Sequence, residues 1–104
     1  MKIDAIALGE KDNVATALRD LESWEDALVG TLDRTQRFPI REEIPYGHKF
    51  ALRDIPKGEE VFKYGEVIGR STSDIPSGKH VHVHNVESLR GRGDLKKRED
   101  RNGI

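Results

Sequence analysis

DIPKGEEVFKYGEV, residues 54–67, and DIPSGKHVHVHNVE, residues 74–87, share Asp-Ile-Pro-x-Gly followed by a valine in the same place, at an offset of 20 residues. Pro56 and Pro76 set φ at the first turn corner, and Gly58 and Gly78 supply the positive φ from which a strand can start. Ile55 and Ile75 are the apolar anchors that tie each turn to a core. Two copies are too few for a solenoid, which takes three or more. They predict pseudo-symmetric β-hairpins in one small domain.

The neighbouring sequence extends this β reading. HKFALRDI (48–55), EEVFKYG (59–65), EVIGRSTS (66–73) and KHVHVHNV (79–86) are short strand patterns separated by turn residues. Upstream, ALVGTL (27–32) is a strand candidate, DRTQ (33–36) a turn and RFPIRE (37–42) a second short strand, which Pro39 marks as an edge or irregular strand. Lys2 to Leu8 alternates and predicts a further strand ended by Gly9. One segment differs. In DNVATALRDLES (12–23), Val14, Ala17, Leu18 and Leu21 recur at helical spacing behind Asp12 or Asn13 as N-cap, which predicts one short N-terminal helix ending near Ser23. The expectation is therefore a mostly β domain over residues 1–88 with one helix. Residues 89–104 are a polar tail or connector with few apolar side chains.

Composition narrows the function classes. The 104 residues are 35% apolar and 36% charged, against typical values of about 45–50% and about 25%. Such a lean core fits a compact β domain or a subunit completed by a partner. The net charge of −1 gives no overall field to draw nucleic acid or an anionic membrane. The absence of cysteine excludes disulfides, thiol nucleophiles and cysteine-based zinc sites. No apolar run approaches the ~20 residues of a membrane span, and MKIDAIALGEKD lacks a signal-peptide core. A cytoplasmic location is expected.

Three of the four histidines stand at alternate positions, 80, 82 and 84. In a strand these side chains share one face, with Val81 and Val83 turned to the core. Neighbours then lie roughly 6–7 Å apart and the outer pair roughly 13 Å apart, from about 3.3 Å rise per residue. Two adjacent imidazoles can therefore chelate one ion, and a further ligand must come from elsewhere. The competing reading is a solvated strand face. YGHK (46–49) places Gly47, His48 and Lys49 at a strand entrance, able to meet a carboxylate or phosphate, or to serve only as a turn with exposed polar neighbours. RGRGDLKKR (90–98) carries Arg90, Arg92, Lys96, Lys97 and Arg98, but Asp94, Glu99 and Asp100 dilute it and no aromatic interleaves for base stacking. It reads as solvated tail. No nucleophile elbow, phosphate loop, dinucleotide fingerprint or His-Glu-x-x-His helix occurs, so nothing marks a self-sufficient active site.

IPYGHKFALRDIPKGEEVFKYGEVIGRSTSDIPSGKHVHVHNVES, with the earlier DNVATAL, resembles the SAF domain of the altronate and galactarate dehydratase family. The likeness runs from about Asp12 to Gly93. It implies a β-clip fold and a chain that works with a much larger catalytic domain or subunit. The family chemistry is loss of water from a sugar acid to give a 2-keto-3-deoxy acid, with Fe(2+) or Mn(2+) held mainly by the large subunit. Carried onto this sequence, the resemblance implies catalytic roles for His82, His84 and His48, and metal ligation by His82 and His84. It implies substrate contacts from Lys49, His80 and Asn85. The RGRGDL stretch becomes a connector to the large subunit. Partners are then that subunit and the sugar acid, with neither nucleic acid nor membrane, and self-association into a homo-oligomer is a further expectation. Two alternatives stay open: a small subunit of a sulfolactate-type lyase, and a stand-alone β-clip module that binds a sugar or an anion.

Overall fold

The computed structural model describes residues 2–88. The chain is mostly β, and the described residues contain nine short strands and no helix. The strands are β1 (Ala5–Ile6), β2 (Val14–Ala17), β3 (Asp26–Gly30), β4 (Thr35–Pro39), β5 (Lys49–Ala51), β6 (Glu60–Lys63), β7 (Glu66–Ser71), β8 (His80–Val81) and β9 (Val86–Ser88). Six of them form one sheet in the order β4-β3-β1-β2-β5-β8, and β6-β7-β9 form a second. Only β1 and β3 run parallel. Pro39 does end the edge strand β4, where its missing N–H costs no ladder bond. The connector, residues 89–104, lies outside the described residues.

The paired turns organise this topology, and there are four of them rather than two. Ile-Pro-x-Gly occurs at 44–47 as well as 55–58 and 75–78, and Leu21-Glu22-Ser23-Trp24 adopts the same form. In each, the residue after the turn donates back across it: Glu25 to Glu22, His48 to Pro45, Glu59 to Pro56 and Lys79 to Pro76, at 2.9–3.3 Å. The fourth position has positive φ in all four, at Trp24 (69°), Gly47 (82°), Gly58 (90°) and Gly78 (85°).

The turns meet in pairs through their anchors. Ile55 and Ile75 exchange both backbone hydrogen bonds at 2.8 Å, and Leu21 and Ile44 do the same at 2.8 and 2.9 Å. An aspartate precedes three of the four anchors and closes the partner turn. Asp54 accepts from the Ser77 N–H, Asp74 from Lys57 and Asp20 from Tyr46. This explains why Asp precedes Ile-Pro-x-Gly in both copies.

Each turn pair sits in its own core. Leu21, Ile40, Ile44 and Phe50 pack with five small alanines and Val29 in the first. Val14, Ala51, Ile55, Val61, Ile75 and Val81 form the second. Strands β2 and β5 join them, because Ala15 and Phe50 belong to one core and Val14 and Ala51 to the other.

The N-terminal helix is not formed. Its segment pairs as β2 with β1 on one side and β5 on the other. Asp12 and Asn13, read as helix caps, satisfy distant backbone instead. Asp12 accepts from the N–H groups of Tyr64 and Gly65, both at 2.8 Å. Asn13, fully buried, donates to the Glu60 carbonyl and accepts from the Phe62 N–H. Polar side chains that can cap a helix also serve any other unpaired backbone. A second correction concerns Val83. The strand stops at Val81, and Val83 is 82% exposed rather than in the core.

Gly58 and Gly78 share a turn position and a backbone conformation but differ in surroundings. A Cβ at Gly58 meets nothing within 4 Å, whereas one at Gly78 would stand 2.7 Å from the Pro39 carbonyl oxygen. Gly58→Ala should therefore cost only the left-handed backbone penalty, about 1–2 kcal/mol. Gly78→Ala should cost roughly 1–3 kcal/mol more through overpacking. Urea unfolding of the two variants measures the difference, and equal losses would contradict the close approach.

Candidate functional site

The site forms where β5 and β8 pair. Lys49 stands opposite Val81 and Phe50 opposite His80. Continuing that register brings His48 opposite His82. Their rings stack at 4.0 Å between centroids, and His48 also stacks on His80 at 5.0 Å. Nδ1 of His48 lies 2.8 Å from Nε2 of His80. One nitrogen from each of His48, His80 and His82 falls within 4.8 Å of the others. The structure thus joins the two sequence candidates, YGHK and HVHVH, into one cluster.

His84 stands at the edge of this group. Its ring is tilted by 39° and 5.2 Å from that of His80, and its side chain is exposed. It does not lie with the other three on a continuous strand face, because the chain turns after Val81. The Asn85 N–H donates to the His82 carbonyl, closing the turn over 82–85. The Asn85 side chain, only 7% exposed, accepts from the His82 N–H and donates to the His80 carbonyl, both at 2.9 Å. Both ends of its amide are therefore spent on holding the histidine backbone. Glu42, not singled out in the sequence, adds a third hold by accepting from the His80 N–H at 2.9 Å.

Electrostatics favour the neutral form of His80 and His82. Burial first, then the neighbouring His48 and His84 charges, push His80 below the usual histidine value, and the Glu42 carboxylate opposes this. Burial, His48, Lys49 and His84 push His82 down as well. Lys49 is half-buried beside them. Its ammonium is pushed below the usual lysine value by burial and by Lys63. The shifts bias His80 and His82 toward the neutral form, which is a ligand and a proton acceptor, with a lysine alongside.

The third Ile-Pro-x-Gly copy was the signal that could have linked His48 to the other histidines. It sets His48 one residue after Gly47, and DIPSG sets His80 two residues after Gly78, so both histidines follow a turn of the same form. Glu42 and Asn13 had no comparable signal, since their partners lie 38 and 47 or 49 residues away.

Depressed histidine values carry a sign for stability. Between the folded value and the unfolded value of about 6.5, the unfolded chain binds more protons. Stability is then complete above about pH 6.5 and falls as pH drops through the folded values. In metal-free protein the melting temperature should fall from about pH 7.5 to about pH 5.5. The drop should be smaller in a His80→Gln/His82→Gln variant. The paired carboxylates Asp4 and Glu25, held below their usual values, act at lower pH and leave this window clear. A wild-type melting temperature that is flat over this range would refute the reading.

Known proteins share this arrangement of sequence. The model of the altronate/galactarate dehydratase SAF domain matches residues 3–89. Altronate dehydratase of Escherichia coli is 46% identical over 77 residues, which are 74% of this chain and 15% of that protein. Galactarate dehydratase (L-threo-forming) of the same organism is 40% identical over 80 residues, 73% of this chain and 14% of that protein. The (2R)-sulfolactate sulfo-lyase subunit alpha of Chromohalobacter salexigens is 39% identical over 93 residues, 86% of this chain and 99% of that subunit. The chain thus spans about a seventh of the dehydratases and nearly all of the lyase subunit. It belongs to the family of altronate/galactarate dehydratase SAF domains.

Proposed function

We propose that the chain is the small component of a sugar-acid dehydratase of the altronate type, a β-clip domain active only with a large catalytic subunit. The observation that carries this is the convergence of His48, His80 and His82, within reach of one another on a surface that this chain leaves open. Loss of water from a sugar acid needs the proton next to the carboxylate removed and the departing hydroxide protonated. Imidazoles, which can take up one proton and deliver another, and a nearby cation suit that task. The rest of the machinery belongs to the partner.

The residues divide the work by their surroundings. Lys49 lies half-buried with Lys63 nearby, so a bound carboxylate relieves its desolvated charge. Lys49 is therefore the anchor for the acid end of the substrate. His84, exposed at the edge of the cluster, is placed to exchange a proton with substrate or solvent. His48, His80 and His82 would hold the divalent ion. When bound, it supplies fixed positive charge that offsets the negative charge built up by proton removal. Asn85 acts as a positioning residue, through the backbone of His80 and His82.

One observation favours a second reading in the same class. The match to the sulfolactate sulfo-lyase alpha subunit covers 99% of that relative. On that reading Lys49 meets an acid of the sulfolactate kind, and sulfite is the leaving group.

Co-expression with a large dehydratase subunit tests the proposal. Altronate dehydration should appear only when both chains are present. Lys49→Met should raise KM at least about tenfold while the two chains still co-purify, in line with the loss of about 1.4 kcal/mol or more from one charged contact. Sulfite release without dehydration would select the second reading. A chain that binds no large lyase subunit and supports neither reaction would overturn both.

A further inference from the structure

We infer that Trp24, Tyr46 and the acidic groove between their turns form the docking surface for the large subunit, and that the groove takes a lysine- or arginine-bearing segment of it. The identity of the partner rests on the reading of this chain as a small lyase component. The surface itself is read from the four sister turns.

Those turns supply an internal comparison. The fourth position is left-handed in each, and three of the four hold glycine there. The exception is Trp24, with φ of 69°. A Cβ is penalised in that conformation, and a bulky side chain there is a marked outlier. The fold does not recover this cost by burial, because Trp24 is 71% exposed. Nor does the turn call for it, since the turns at 44–47, 55–58 and 75–78 form with glycine. Strain that the fold carries without return argues for a use outside the fold.

Tyr46 repeats the pattern on the facing turn. It takes the third position, which Ser23, Lys57 and Ser77 fill elsewhere, and it is 68% exposed. The bridge from Leu21 to Ile44 holds the two turns together, so both aromatic side chains belong to one fixed surface. Tryptophan and tyrosine are among the side chains that most often anchor a protein interface.

The groove over that bridge decides the chemistry of the partner. It measures about 330 Å³ and is lined by Asp20, Leu21, Glu22, Glu43, Ile44 and Pro45. Its three carboxylates form no ion pair among the described residues, whereas the neighbouring Arg19 is taken up by Asp4 and Glu25. One oxygen of Asp20 accepts from the Tyr46 N–H, and Glu22 and Glu43 are exposed. An apolar floor with an acidic rim complements the apolar stem and cationic head of lysine or arginine. The Arg41 guanidinium, 5.2 Å from the Trp24 ring centre, shows that the indole accepts such a group.

Position ties the surface to the histidine cluster. Tyr46 lies two residues before His48, and Glu42, next to Glu43, holds the His80 N–H. A partner seated on the groove therefore stands beside the cluster.

The test uses the full chain and the large dehydratase subunit of the co-expression. The chain has one tryptophan, so fluorotryptophan incorporated into it alone gives one fluorine resonance. That resonance should mark an exposed ring in the free chain at every protein concentration, and should shift when the large subunit is added. Trp24→Gly and Tyr46→Ala should each weaken binding at least ~10-fold. Glu43→Lys should weaken it too, by a factor that shrinks as salt is added. Leu32→Ser, a control of similar exposure beyond the far end of β3, should change binding by less than about twofold.

Trp24→Gly should at the same time hold or raise the melting temperature of the free chain, which a tryptophan kept for packing would not allow. A fall of more than about 4 °C overturns the inference. So does a large subunit that binds all the variants alike, an outcome that leaves the dehydratase reading intact. A fluorine resonance already covered in the free chain assigns Trp24 to the chain's own residues or to a second copy, and overturns the inference as well. A chain that binds no large lyase subunit overturns this inference and the dehydratase reading together.

Discussion

The reciprocal backbone pairing of the turn anchors is the constraint on which the rest depends. Ile55 with Ile75, and Leu21 with Ile44, each close a two-bond bridge at full burial. A bridge of that kind fixes both the separation and the direction of four chain segments at once. Strands of only two to six residues could not hold a register alone. They do so because each enters or leaves a turn whose position is already set. The same logic explains the aspartates at 20, 54 and 74, which close the partner turn rather than their own. A small chain with 35% apolar residues thereby replaces part of the missing core with satisfied backbone.

What could be read in the sequence follows from where the information is local. Proline and glycine restrict their own backbone, so Asp-Ile-Pro-x-Gly disclosed turns, strand starts and a mostly β chain. The third copy at 44–47 was equally visible. The first was not, because Trp24 occupies the glycine position with φ of 69° and remains 71% exposed. No residue-type rule assigns a tryptophan there. The segment 12–23 failed for a different reason. Its apolar spacing satisfies a helix and equally a strand followed by an extended run to the Leu21 anchor. The deciding contacts, from Asp12 and Asn13 to the hairpin at 60–65, are tertiary.

The candidate site divides in the same way. Alternation of histidine and valine marked side chains that partly come together in the structure, but it implied a continuous strand face that does not form. A continuous strand would have spread three imidazoles in a row and buried Val83. Asn85 instead turns the chain back, so two of the row meet His48 across the sheet and His84 stays at the margin. The pairing of His48 with His82 is set by the β5–β8 register, which the turns at 44–47 and 75–78 impose. That is long-range information, absent from either motif taken alone.

The position of the cluster also joins the two cores. His48 leads into β5, whose Phe50 fills the first core, and His80 leads into Val81, which fills the second. A shift in either core therefore moves one side of the cluster relative to the other. With the backbone on both sides hydrogen-bonded, such a shift is resisted. Rigid presentation of this kind suits a chain that supplies part of a shared site. On the proposed reading, the surface it offers has to be in place before a larger partner would close over it, because so small a domain has little binding energy to spend on rearranging itself.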